Sequence, residues 1–158
     1  QLPWLRSIYI SFLTTFYHIF MRFLVGEIVV IIFKNRSFNE NSFIFRIHSY
    51  EPKLYKILKV KKWKTGVITA VPEQFDINKV GPKGLLHNML QAELVHRIIM
   101  VLSFVPLLLI IPYGSPIIFI LTSIIACFID TTFVIIQRFN RPRIINLIKY
   151  YDSKNKSR

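Results

Sequence analysis

Two long apolar runs, 98–111 and 117–136, stand back to back with only Pro112-Tyr113-Gly114-Ser115-Pro116 between them. Two prolines and a glycine so close together break a helix and turn the chain. With Leu94 and Val95 added, each run has about the ~20 residues that a helix needs to cross a bilayer. Backbone inside hydrocarbon must satisfy its own hydrogen bonds, so these runs are predicted to be helices. The pattern is a helical hairpin whose two outer ends return to the same side. Pro106 is predicted to kink the first arm. A third apolar run, 8–33, carries His18, Arg22 and Glu27. It reads as a further span, an uncleaved signal-like segment being the alternative. Arg22 and Glu27 are expected to face a protein interior or interface rather than lipid, unless Arg22 snorkels. Asp130, about two turns inside the last run, is expected to find a polar partner, among them Thr131 and Thr132, or a wet cavity.

Charge narrows the class. The 158 residues include Lys+Arg 21 against Asp+Glu 8, a net charge of +13, in a chain that is 53% hydrophobic. Apolar runs of this length exclude a small nucleic-acid-binding domain and leave a membrane protein with basic segments at the interface. The fold class expected is all-α: an integral membrane protein of one domain, with about three transmembrane helices and a basic amphipathic interfacial helix. The divisions expected are a first span at 8–33, a basic segment at 34–91, spans at 92–112 and 117–137, and a basic tail at 138–158. Within the basic segment, 34–41 reads as a polar turn and 65–83 as a loop over the membrane surface. Between them, 52–64 has Pro52 at a helix start and Leu54, Ile57 and Leu58 at one-face spacing, flanked by lysines. That pattern suits a helix lying on anionic lipid. Lys61, Lys62, Trp63 and Lys64 are its membrane-interface residues. If positive charge marks the cytoplasmic side, the basic segment, Arg138, Arg141, Arg143 and the tail all lie there. The single cysteine, Cys127, sits in an apolar run and reads as a filler; no disulfide and no zinc spacing exist.

Chemistry is sparse. Gly-rich phosphate loops, nucleophile elbows and paired-histidine zinc helices are missing, and no metal or cofactor is expected. Glu93 and His96 are three residues apart, neighbours on one helix face at the mouth of the hairpin. One reading is a polar pair closing a helix end. The other is general-base catalysis, with His96 taking a proton from an attacking hydroxyl and Glu93 orienting the imidazole. A dinuclear carboxylate–histidine site would need a second Glu-x-x-His, which the chain lacks. The returning end holds Gln137-Arg138-Phe139-Asn140-Arg141-Pro142-Arg143. Arg138, Arg141 and Arg143 with Gln137 and Asn140 could be simple cytoplasmic anchors, or could hold the phosphates of a donor or a developing oxyanion. Pro142 suggests a stiff, shaped turn there.

Three motifs, Lys61-Lys62-Trp63-Lys64, Ala92-Glu93-Leu94-x-His96 and Ile135-Ile136-Gln137-Arg138-Phe139-Asn140-Arg141-Pro142-Arg143, occur in this order. Over roughly 49–149 the chain resembles the glycosyl-4,4'-diaponeurosporenoate acyltransferase family of bacteria. It departs from that pattern at Gln91, Asp130, Thr132 and Phe139, where Arg, Asn, Pro and Tyr are usual. The resemblance implies a multi-pass enzyme of the bacterial cell membrane that esterifies a sugar hydroxyl of a glycosylated carotenoid with a fatty acyl group. Its partners would be membrane lipids, a glycosylated lipid acceptor and an acyl thioester co-substrate on coenzyme A or acyl carrier protein. The competing readings are a small membrane methyltransferase and a non-catalytic partner subunit.

Overall fold

The computed structural model describes residues 3–34, 36–67 and 71–156. Asn35 of the expected polar turn, 68–70 of the expected surface loop and 157–158 of the tail lie outside the described residues. The chain is helical: α1 (Pro3–Phe33), α2 (Glu51–Ile57), α3 (Val60–Trp63), α4 (Ile77–Leu102), α5 (Ile110–Tyr113) and α6 (Pro116–Lys156). There is no strand among the described residues. Three helical stretches, Trp4–Phe33, Ile77–Tyr113 and Pro116–Lys156, are long and apolar enough to cross a membrane.

The boundaries differ from expectation at three prolines, each for a local reason. Helix α4 begins inside the stretch read as a loop, and Gly81 breaks it at φ 70, ψ 169. Glycine alone reaches that backbone without strain, and Pro82 then suits the first position of the resumed helix. Pro106 does not kink a continuous span. The α-helix stops at Leu102, and Val105–Leu109 continue as a 3-10 turn before α5. A proline has no amide hydrogen for the ladder and disfavours α backbone in the residue before it. Pro142 makes no turn and lies inside α6, which carries the tail on as helix to Lys156.

Two compact units are formed, 3–34 with 94–133 and 36–93 with 134–156. In the first, Met21, Val25, Val29 and Ile99 form a buried cluster walled by Tyr17, Leu94, Val95, Ile98 and Leu102. The Tyr17 hydroxyl donates to the Leu102 carbonyl at 3.0 Å, where the helix ends. Thr14 and Ser103 are buried and donate to carbonyls one turn back, Ile10 at 2.9 Å and Ile99 at 2.8 Å. They add close packing without an orphaned hydroxyl. Large apolar side chains such as Phe12, Phe23, Ile117 and Phe128 point outward, as lipid contact requires. Glu27, expected in an interior or at an interface, is exposed.

In the second unit the expected interfacial helix is two short ones. Tyr55 and Val60 are buried, whereas Leu54, Ile57 and Leu58 are exposed. Helix α2 has Pro52 in its first turn and ends at Leu58. Lys59 then adopts left-handed backbone, φ 51, ψ 36, and its amide donates to the Lys56 carbonyl at 3.2 Å. This is a C-terminal stop normally given to glycine. A side chain there costs about 1 kcal/mol, so Lys59→Gly is expected to raise the thermal unfolding midpoint of the detergent-solubilised protein and Lys59→Val to lower it. A midpoint raised by the β-branched variant would contradict the assignment.

Candidate active site

The second unit is centred on four buried ionic side chains. Glu51, Glu93, Arg138 and Arg141 are all nearly inaccessible. Arg138 donates from Nε to Glu51 Oε2 at 2.9 Å and from Nη1 to Glu93 Oε1 at 2.7 Å, and its Nη2 reaches Glu51 Oε1. Arg141 Nη2 takes Glu93 Oε2. The guanidiniums also capture backbone: Arg138 Nη2 donates to Arg46 O at 2.7 Å, and Arg141 Nη1 to Phe45 O. An irregular segment is thereby pinned by the fork geometry of two arginines, which matches carboxylate and carbonyl oxygens in pairs. Burial alone would raise the Glu51 carboxyl. Hydrogen bonds from Arg138, the His48 amide and the Tyr55 hydroxyl (2.6 Å) outweigh it and hold Glu51 down at about 2. The same neighbourhood, burial first and then Glu51, pushes the Tyr55 phenol up.

Sequence spacing makes Glu93 the partner of His96; the structure gives the imidazole a different carboxylate. Within the first unit, His96 Nδ1 lies 2.9 Å from Asp130 Oδ1. Asp130 is completely buried, and its Oδ2 takes Arg22 Nη2. Arg22 also donates to His18 O at 2.7 Å and Ala126 O at 3.3 Å. The His96 ring stacks on Phe133, with centroids 4.5 Å apart and planes 5° apart. Its side chain is 21% exposed, so the ring is held on two sides and is still open. Glu93 is engaged instead by two guanidiniums, whose bonds to a carboxylate are charge-assisted. Asp130 and Arg22 are visible in the sequence as charges inside apolar runs. No spacing rule connects residues 108 positions apart.

The arginine cluster is also divided. Arg138 and Arg141 are matched by carboxylates. Arg143 is exposed and lines a cleft of about 380 Å³ with Lys64, Gln137 and Asn140. Lys64 Nζ donates to Asn140 Oδ1 at 2.7 Å. Lys64 and Arg143 both lie over the Phe139 ring, 4.9 and 5.5 Å from its centroid. Lys61 and Lys62 are exposed on α3, and the Trp63 indole caps α2 by donating to Leu58 O at 2.9 Å. Another cleft, of about 500 Å³, has Gly81, Pro82 and Lys83 on its wall, where Lys83 is paired with Asp152 at 3.1 Å. No group of three or more metal-ligating side chains is found among the described residues.

The chain matches the family model described as glycosyl-4,4'-diaponeurosporenoate acyltransferase over residues 32–150. The chain belongs to that family. No curated protein and no solved structure matches. The family match spans Glu51, Lys64, Glu93, His96, Asp130 and the 137–143 segment, whereas Arg22 and His18 lie before it. Membership makes the chain an acyltransferase of carotenoid biosynthesis with helices able to span a membrane.

For this acyltransferase the buried ion cluster sets an acid limit. Glu51 has a folded value of about 2 against an ordinary 4.5. Its contribution is therefore complete above about pH 4.5 and is lost as pH falls through about 2. Thermal unfolding is expected to shift to lower temperature from pH 6 to pH 3, and Glu51→Gln should flatten that part of the curve. An unchanged acid slope in the variant would show that the carboxylate is not the group responsible.

Proposed function

We propose that the protein moves a fatty acyl group from a thioester donor, acyl-CoA or acyl carrier protein, to a sugar hydroxyl of a glycosylated lipid. The acceptor proposed is a carotenoid glycoside of the glycosyl-4,4'-diaponeurosporenoate type, and the face used is the cytoplasmic face of the bacterial cell membrane. Family membership supports the reaction class. The observation that carries the mechanism is the hydrogen bond between His96 Nδ1 and Asp130 Oδ1, 2.9 Å. Asp130 accepts a hydrogen bond from Nδ1–H, which leaves Nε2 as the basic nitrogen.

In the reaction, Nε2 takes the proton of the sugar hydroxyl as its oxygen attacks the thioester carbonyl. The tetrahedral intermediate expels the thiolate, which recovers that proton from the imidazolium. The products are the ester and the free thiol, and no acyl-enzyme is needed. Asp130 stabilises the imidazolium, and Arg22 holds the second carboxylate oxygen so that Oδ1 stays turned to the ring. The stacked Phe133 ring fixes the plane in which Nε2 is presented. Glu93, engaged by Arg138 and Arg141, acts as a structural residue in this scheme.

Removing a positioned base typically lowers turnover by about 10²–10⁴-fold. His96→Gln is therefore expected to lose at least a hundredfold in kcat in nanodiscs with little change in unfolding midpoint. Asp130→Asn is expected to lower kcat by roughly tenfold or more with KM retained. Glu93→Gln should act mainly on stability, since stranding one partner of a buried ion pair costs about 3–5 kcal/mol. Full turnover in His96→Gln would remove the base assignment.

A further inference from the structure

Among the described residues of the second unit, both buried arginines are matched with carboxylates. Arg138 and Arg141 share Glu51 and Glu93, and even at the surface Lys79 and Lys83 pair with Glu73 and Asp152. The cleft beside Phe139 breaks this pattern. Lys64 and Arg143 are drawn over one aromatic ring, and none of the residues that line the cleft is acidic. Burial, and then the like charges of Arg143 and Lys61, hold the Lys64 ammonium below its ordinary value. Two cations gathered without a counter-charge lose electrostatic energy that an anionic ligand would restore. Lys64 is not free to swing away, because Asn140 holds its ammonium at 2.7 Å.

The remaining walls say what else the ligand carries. Gln137 and Asn140 offer neutral amides, and Leu85, Met89, Ile136 and Ile144 offer an apolar face. At about 380 Å³ the cleft is within the size range of small-molecule sites. A lone inorganic anion would leave the amides and the apolar face unused. A phosphate continued by an uncharged, amide-bearing or aliphatic arm would use all three.

We propose that this cleft binds a phosphate ester through Lys64 and Arg143, with the uncharged arm next to the phosphate running along Gln137, Asn140 and the apolar wall. Two sources present that chemistry: the 4'-phosphopantetheine arm common to coenzyme A and acyl carrier protein, and the headgroup of an anionic phospholipid. The inference deepens the acyl-transfer reading and takes its phosphopantetheine source from it. The cationic cleft itself does not depend on catalysis.

The test uses the full chain and measures binding rather than turnover. One arm titrates 4'-phosphopantetheine, and pantetheine without the phosphate, into detergent-solubilised protein. The other arm measures retention of phosphatidylglycerol against phosphatidylcholine in nanodiscs. Saturable binding that requires the phosphate is expected, weakened at least tenfold by Lys64→Met and by Arg143→Met. Lys149→Met, an exposed lysine on α6 outside the cleft, should bind as the wild type does. Loss confined to the phosphopantetheine arm supports a donor site; loss confined to the phosphatidylglycerol arm supports a lipid-phosphate site. The proposal is overturned if neither arm depends on Lys64 and Arg143, or if Lys149→Met weakens binding equally. Unfolding midpoints of both cleft variants guard against misfolding. A protein that binds the phosphate in this way but transfers no acyl group would remove the proposed function and leave the site standing. Wild-type acyl transfer with phosphate binding insensitive to both variants would do the reverse.

Discussion

Among the described residues, each completely buried carboxylate has its two oxygens held by two different side chains. Glu93 is divided between Arg138 and Arg141, and Asp130 between Arg22 and His96. Removing a carboxylate from water costs several kcal/mol even after relaxation. The cost is recovered only where the geometry is good and the lone pairs are used. Both carboxylates meet that condition, since each oxygen has its own donor. The interaction also fixes local shape. Without the guanidiniums, the carbonyls of Phe45 and Arg46 would have no such anchor. Without Asp130, the His96 ring would lose the hydrogen bond that complements its stack on Phe133.

This sharing sorts the charges by task. A cation that faces a buried carboxylate has its donors directed into the fold. By that criterion Arg138 and Arg141 are structural although they occupy the densest basic motif of the chain. Arg143, two residues on, is outside the ion cluster and stands with Lys64 at a cleft. The same criterion applies to the acids. Glu93, three residues from the imidazole, is held by arginines, and the more distant Asp130 is the group that can tune His96. The family to which the chain belongs is one of acyltransferases, and the mechanism proposed above asks for a base of fixed tautomer and a place for the donor.

The apolar runs were legible in the sequence because length and hydropathy alone decide whether a helix can cross a bilayer. The three long helices follow from them, as do the short loop at Gly114 and the outward apolar faces. Helix ends were less legible. Gly81-Pro82 falls in a stretch that reads as a loop, yet it is a single broken step inside α4, and Pro142 reads as a shaped turn where α6 continues. At Gly81 the positive φ absorbs the break, so the helix resumes directly. The polar pairing was hidden for a different reason. Spacing reports neighbours on one helix, whereas the partners Arg22–Asp130 and Arg138–Glu51 are separated by 108 and 87 positions. A charge within an apolar run shows that a partner must exist, but not which residue it is.

The bond from His96 to Asp130 is the claim on which the chemistry rests, and the protonation of the ring reports it directly. Nitrogen-15 NMR of histidine-labelled protein in nanodiscs resolves which ring nitrogen carries hydrogen. The account predicts that neutral His96 holds its proton on Nδ1, hydrogen-bonded to a carboxylate, and that Asp130→Asn shifts this signal while leaving His48 and His87 unchanged. A His96 ring protonated on Nε2 alone, or one indifferent to Asp130→Asn, would contradict it.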